Sequence, residues 1–362
     1  GYSLVEVQAP YGYVLDSTPV SFDVTEENST QEGGITLIKV DKPNMAQKGT
    51  ISVEKTGEVF FGVNVSGDED EDVIYQPVYK VKGLAGAVYE ITADEDVITP
   101  DGTLRYHKGD VVDTVTTDED GTAKSKELYL GKYTVVETKA PTGMVINKEK
   151  HSVELTYAGQ DVAVTETATS FVNERQKVKI SLEKILEQDE TFGIGKNDEI
   201  KNISFGLYAK EDVVSSSGTV IPADGLIEII TLDENGVATA NTDLPFGSYY
   251  VKEIATDEHY ILSDTQYPFT FKYAGQDIET VEIKVNAGKP IENKLIYGSV
   301  SGKKIDENGE ALGGALIGIF KADETEFTKE HSIMTATSEK DGSFSFAKVP
   351  YGKWIVREIE AP

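Results

Sequence analysis

The sequence predicts an all-β protein, a row of repeated strand-built domains of which two are complete and two partial. Three observations carry the expectation. The composition favours strands and tight turns, one strand pattern recurs four times, and a second, Lys-ending pattern precedes it at a fixed place.

The chain has 362 residues with 39% hydrophobic content, enough to build ordinary cores in two or three domains. Its 18 Tyr, 13 Phe and 33 Gly, with abundant Val, Ile and Thr, suit short strands rather than long helices. Against 34 Lys and Arg stand 63 Asp and Glu, a formal charge of -29. Such a surface repels phosphate backbones and anionic bilayers, so no nucleic-acid partner and no membrane insertion are expected, and the acid reads as a solvated face. There are no cysteines, which excludes disulfides, thiolate metal sites and Cys nucleophiles. No long apolar run or signal peptide is present, and the chain opens and closes in mid-pattern, as a fragment would.

The recurring block reads GYSLVEVQAP at 1–10, GKYTVVETKAP at 131–141, GSYYVKEIATD at 247–257 and GKWIVREIEAP at 352–362. Each carries an aromatic residue and, four positions on, a Glu: Tyr2 and Glu6, Tyr133 and Glu137, Tyr249 and Glu253, Trp354 and Glu358. Period-two alternation puts both on one strand face, expected to be the core face. A Glu pointing into a core is costly unless neutral or partnered. A surface ion pair is the plainer explanation, but four repetitions in one register weigh against it.

Upstream lie GTISVEK at 49–55, VKISLEK at 178–184 and GSVSGKK at 298–304, which align Lys55, Lys184 and Lys304. Lys303 is a rival for the third place, yet spacing from the preceding Gly selects Lys304. A strand with small and aromatic residues follows (GAVYEI at 86–91, SFGLYA at 204–209, GALIGIF at 314–320), then a hairpin turn (DEDG at 118–121, DENG at 233–236, EKDG at 339–342). Downstream of the block, SFVNERQ at 170–176 and KPIENKL at 289–295 carry Asn173 and Asn293, 36 and 40 residues after their Glu. In the first unit LIKVDKP at 37–43 places Asp41 35 residues after Glu6. The chain thus divides into 1–43, the C-terminal part of one domain; 44–176 and 177–295, two whole domains; and 296–362, the N-terminal part of a fourth, with no Pro- or Gly-rich linker between them.

As a set, with order and spacing kept, these motifs resemble the Cna B-type, SpaA-like (prealbumin-like, Ig-like) domains of Gram-positive pilins and surface adhesins, across essentially the whole chain. The resemblance implies tandem antiparallel β-sandwich domains, in each of which the first-strand Lys is joined covalently to the last-strand Asn or Asp. It implies Lys55–Asn173 with Glu137, Lys184–Asn293 with Glu253, a half-site of Glu6 with Asp41, and a converse half-site of Lys304 with Glu358. It also implies an extracellular place on the bacterial cell wall, in a stalk whose partners are neighbouring domains of the same polypeptide.

Burial favours the neutral forms of an amine and a carboxylic acid, so the amine can attack while the acid shuttles a proton to the leaving ammonia. Protonated, the acid would hydrogen-bond and polarise the side-chain carbonyl of the Asn. For Asp41 the leaving group would be water. The reaction is a single turnover, so no conventional enzyme, cofactor or metal is expected. The four His residues, at 107, 151, 259 and 331, are isolated. The acidic run at 68–72 and the Asp-rich turns lack the twelve-residue calcium loop. A glycosidase carboxylate pair and a G-x-S-x-G nucleophile find no support. An adhesin reading stays open, in which insertions such as 57–83 and 210–226 recognise a host glycan or protein. A further idea is that the two half-domains of different chains meet and are linked through Lys304 and Asp41.

Overall fold

Strands form wherever alternation lets one face be buried, and this chain alternates almost throughout. The computed structural model describes residues 1–67 and 72–362, so most of the acidic run at 68–72 lies outside the described residues. Two compact units are present. Unit 1 holds Gly1–Phe60, Tyr79–Gln176 and Tyr273–Glu279, and unit 2 holds Phe61–Val78, Lys177–Lys272 and Thr280–Pro362.

In unit 1 the Glu-bearing strand Gly131–Lys139 runs antiparallel between Val88–Ala93 and Lys150–Leu155, and Val111–Thr116 completes that sheet. The facing layer is built on the Lys-bearing strand Lys48–Ser66. Thr122–Lys124 and Leu128–Tyr129 pair with it antiparallel, and the Asn-bearing strand Val164–Asn173 pairs with it parallel. Between the layers lie Ile51 and Val53, Tyr89 and Ile91, Tyr133 and Val135, and Phe171, all buried. Their period-two spacing is what fixes strand register, since a one-residue slip would turn each set to solvent.

The parallel pairing departs from the antiparallel expectation and positions the site. Phe171 stands opposite Lys55, so Asn173, two residues on, shares its face with the Lys. The segment 57–66, read as part of a variable insertion, continues the Lys strand as far as Ser66, and Ile74–Gly83 is also a strand. Residues 210–226 hold the short pairing of Val213–Val214 with Val220–Ile221.

The first partial repeat, also in unit 1, pairs Tyr2–Leu4 with Val20–Phe22 and Tyr13–Val14 with Met45–Ala46. Tyr2, expected to face a core, is 63% exposed, because residues 1–43 hold no counterpart of the Lys-strand layer that covers Tyr133.

Unit 2 repeats the plan. Gly247–Ala255 lies antiparallel between Ser204–Ala209 and Gln266–Phe271, with Leu226–Thr231 outside Ser204–Ala209. The facing strand Lys177–Leu186 takes Val237–Thr239 antiparallel and both Thr280–Lys284 and Ile291–Asn293 parallel. In the last repeat Trp354–Glu360 and Met334–Thr337 flank Leu316–Lys321, and Tyr297–Lys303 pairs with Ser343–Pro350.

Candidate cross-linking sites

Three local devices aim the functional side chains. The first is the aromatic residue four positions before the Glu. Tyr133 Oη donates to the Tyr129 carbonyl at 2.5 Å, Tyr249 Oη to Pro245 O at 2.7 Å, and Trp354 Nε1 to Pro350 O at 2.8 Å, so a ring, buried in the two Tyr cases and half-buried in Trp354, pins the turn that launches the Glu strand.

The second device is a register shift immediately after the Glu. Glu137 stands opposite Tyr89 but Lys139 opposite Val88. Glu253 and Glu358 stand at the same kind of shift, opposite Phe205 and Ile317. A bulge there bends the strand and re-aims one side chain.

The third is the glycine of the hairpin turn. Gly121, Gly236 and Gly342 have φ of +81°, +76° and +77°, a region that favours glycine. Each accepts a hydrogen bond from the amide of the functional Lys: Lys55 N to Gly121 O at 2.7 Å, Lys184 N to Gly236 O at 2.7 Å, Lys304 N to Gly342 O at 2.8 Å. A Cβ on Gly121 would stand 2.3 Å from the Lys55 carbonyl oxygen.

Two complete clusters result. Lys55, Glu137 and Asn173 are 0%, 2% and 2% exposed, and Lys184, Glu253 and Asn293 are 1%, 2% and 2%. In the first, Lys55 Nζ is 3.3 Å from Glu137 Oε1. Asn173 Nδ2 donates to Glu137 Oε1 and Oε2 at 3.2 and 3.0 Å and to the Val145 carbonyl at 2.8 Å. The amide of Asn147 donates to Glu137 Oε2 at 2.7 Å. Lys55 Nζ makes no well-aligned hydrogen bond and Asn173 Oδ1 accepts none. In the second, Lys184 Nζ lies 2.9 Å from Glu253 Oε2 and donates to Asn293 Oδ1 at 2.5 Å. Asn293 Nδ2 donates to Glu253 Oε1 at 2.6 Å and to Thr256 Oγ1 at 2.9 Å.

Burial pushes both Lys55 and Lys184 below the ordinary ammonium range, with the adjacent Glu pulling the other way. Burial, reinforced by the neighbouring Glu137, likewise drives the Tyr89 phenol far above its usual range. The ammonium positions face Phe171 at 5.8 Å and Phe205 at 5.9 Å, so the walls of both clusters are aromatic.

The first half-site differs from expectation. Asp41 is exposed, and Glu6 pairs instead with Asn44, whose Nδ2 donates to Glu6 Oε2 at 2.8 Å and to Val14 O at 3.0 Å. Asp16 N donates to the same carboxyl oxygen at 3.0 Å. These contacts reproduce those of Asn173, Val145 and Asn147 around Glu137, so Asn44 holds the place expected for Asp41. Spacing from Glu6 points to Asp41, but the loops between Glu and Asn vary in length. No lysine pairs with Glu6 among the described residues. At the other end Lys304 Nζ lies 3.2 Å from Glu358 Oε2, and both side chains are partly exposed. The Asp-rich turns serve as turns: Asp118 accepts from the amides of Asp120 and Thr122 and from the Thr122 hydroxyl.

The prealbumin-like fold domain model named SpaA matches residues 78–169, 191–287 and 298–362, together more than half of the chain. The chain belongs to this family. No curated protein matches it. Among solved structures it is similar to the Bacillus anthracis TIE protein, with 21% identity and a TM-score of 0.54, over 88% of this chain and 46% of that one. The chain therefore spans less than half the length of that relative, and the likeness is one of fold. It is also similar to BcpA, the major pilin subunit of Bacillus cereus, at 16% identity and a TM-score of 0.31, covering 87% of this chain and 89% of that one. A third likeness is to the shaft pilin spaA of Lactobacillus rhamnosus GG, at 12% identity and a TM-score of 0.23, covering 69% and 98%. Among the described residues no helix is long and apolar enough to cross a membrane.

Proposed function

We propose that this chain is a structural stalk segment of a cell-wall surface protein or pilin of a Gram-positive bacterium, welded by two autocatalytic isopeptide bonds, Lys55–Asn173 and Lys184–Asn293. The observation that carries the reading is the pair of solvent-excluded clusters in which amine, carboxyl group and carboxamide meet. Family membership in the SpaA-type domains supports the stalk role. The domains 44–176 and 177–295 are the two that would carry a complete bond.

The neutral Lys Nζ attacks Asn Cγ, the C–N bond to Nδ2 breaks, and a secondary amide and one ammonia are formed. Both Asn side chains turn Nδ2 toward the Glu. This orientation supports the proton shuttle, in which the Glu takes a proton from the attacking amine and passes it to the leaving nitrogen, over the carbonyl polarisation expected beside it. In the second cluster the carbonyl oxygen faces the amine that attacks. Held in contact, the groups react intramolecularly, which is worth roughly 7–11 kcal/mol of barrier when orientation is good. Burial shifts the amine toward its neutral form and keeps competing water out.

Intact-mass measurement tests the reading. The full chain is expected to weigh two ammonia molecules less than its summed residues, with Glu137→Ala and Glu253→Ala each restoring one. A mass equal to the summed residues overturns it.

A further inference from the structure

A loop of sequence Tyr-Ala-Gly-Gln-Asp occurs twice, at 157–161 and 273–277. Both copies lie in unit 1, each against the pole of the preceding repeat that carries the Glu and Asn. The contacts match one for one. Ala9 N donates to Gln160 Oε1 at 2.8 Å, and Ala140 N to Gln276 Oε1 at 2.9 Å. Leu15 N donates to Gln160 O, and Ile146 N to Gln276 O, both at 2.9 Å.

A buried glutamine three residues after Asn44 and after Asn173 completes the set. Gln176 is 0% exposed; its Nε2 donates to Gly275 O at 3.0 Å and Ile278 O at 2.7 Å, and its Oε1 accepts from Ala274 N at 2.8 Å. Gln47 makes the same three bonds to Gly159, Val162 and Ala158. A buried side-chain amide with both ends satisfied by one loop is a specific lock rather than a solvated contact.

This lock flanks the reactive cluster on both sides. Ala140 lies three residues beyond Glu137, and Ile146 sits between Val145, whose carbonyl holds Asn173 Nδ2, and Asn147, whose amide holds Glu137. Gln176 lies three residues beyond Asn173. The repeat with Lys184 is built differently. Thr256 stands where the others have Ala9 and Ala140, and Ile296 where they have Gln47 and Gln176. Its pole carries an apolar cluster that includes Phe192, Tyr260 and Leu295.

We propose that the Tyr-Ala-Gly-Gln-Asp loop of a following repeat is a docking element that holds the cluster of the preceding repeat in reactive geometry. Gln276 and Gln176 are then positioning residues for the Lys55–Asn173 bond and not for Lys184–Asn293. The inference rests on the welding reading above. Removing Gln276 leaves the Ala140 amide unsatisfied, and removing Gln176 strands two carbonyls and an amide.

The test follows both bonds in time after cell-free synthesis of the full chain, by mass spectrometry of the cross-linked peptides. Gln276→Ala and Gln176→Ala are expected to slow Lys55–Asn173 formation about tenfold, in keeping with the loss of one or two buried hydrogen bonds, while Lys184–Asn293 forms at the wild-type rate. Gln276→Glu keeps an acceptor for the Ala140 amide and is expected to restore the rate. Gln176→Glu keeps no donor and is not. Wild-type rates at both bonds in Gln276→Ala and Gln176→Ala, or equal loss at both, overturn the proposal. If the wild-type chain forms neither bond, the welding reading has failed instead, and hydrogen exchange decides the docking: the Ala140 and Ile146 amides lose protection in Gln276→Ala if the loop is docked, and unchanged protection overturns it.

Discussion

Lys55 shows how much one residue's surroundings decide. An exposed lysine is charged at neutral pH and cannot attack, whereas burial drives the Lys55 ammonium down from its ordinary value of 10.5. The consequence is measurable in Asn173→Ala, which keeps Lys55 and Glu137 but cannot form the bond. Its unfolded state binds a proton at Lys55 that the folded state gives up sooner. Stability therefore rises with pH from the lowered folded pKa toward 10.5. The rise is read below 10.0, the ordinary value of the phenols of Tyr89 and Tyr133, because both are held protonated by burial and reverse the trend above it. Denaturation midpoints of Asn173→Ala are expected to climb over this window relative to the wild-type chain, in which the proposed bond would make Lys55 an amide that no longer titrates. Parallel pH curves for the two proteins would contradict the assignment of Lys55 as a buried free amine.

At the scale of strands and turns, the Lys, Glu and Asn strands do not hold the cluster alone. The hairpin glycine fixes the backbone of the Lys, and a Cβ at Gly121 would displace the Lys55 carbonyl. Gly121→Ala is expected to block or slow the Lys55–Asn173 bond and leave Lys184–Asn293 intact, with Gly236→Ala doing the reverse. Cross-linked peptide yields from the two variants check this, and normal yields of both bonds in both variants would show the clamp to be dispensable. Much of this was legible in the sequence: Glu137, Lys55 and Asn173 announced themselves by repetition in a fixed strand order. The turn Gly was legible only as a turn, because its clasp on Lys55 joins residues distant in sequence. The bulge after Glu137 was hidden, since register shifts depend on the partner strand. Asn44 was missed because the loop joining it to Glu6 can absorb the three residues that separate it from Asp41. The two-copy Tyr-Ala-Gly-Gln-Asp loop was visible as a repeat, but nothing local said that its Gln side chain caps Ala140.

For the molecule as a whole, each proposed bond would close a loop of over 100 residues, from Lys55 to Asn173 and from Lys184 to Asn293. By analogy with disulfide closure, loops of this size restrict the unfolded chain by about 4–5 kcal/mol each. Strands paired through non-local contacts and a net charge of -29 both work against the compact state, so such closure is a large share of a marginal balance. With no cysteine in the chain, none of it depends on redox conditions. The two proposed bonds would lie in separate compact units, Lys55–Asn173 in unit 1 and Lys184–Asn293 in unit 2. Each should therefore govern its own unfolding transition. In scanning calorimetry Glu137→Gln is expected to lower one transition and Glu253→Gln the other, with the double variant lowering both and reductant changing none. The Gln replacements keep the shape of the Glu and remove its acidic proton, so the loss reports the missing bond more than a packing defect. If either single variant lowered every transition together, or if none moved, the bonds would not be the local staples that the two clusters suggest.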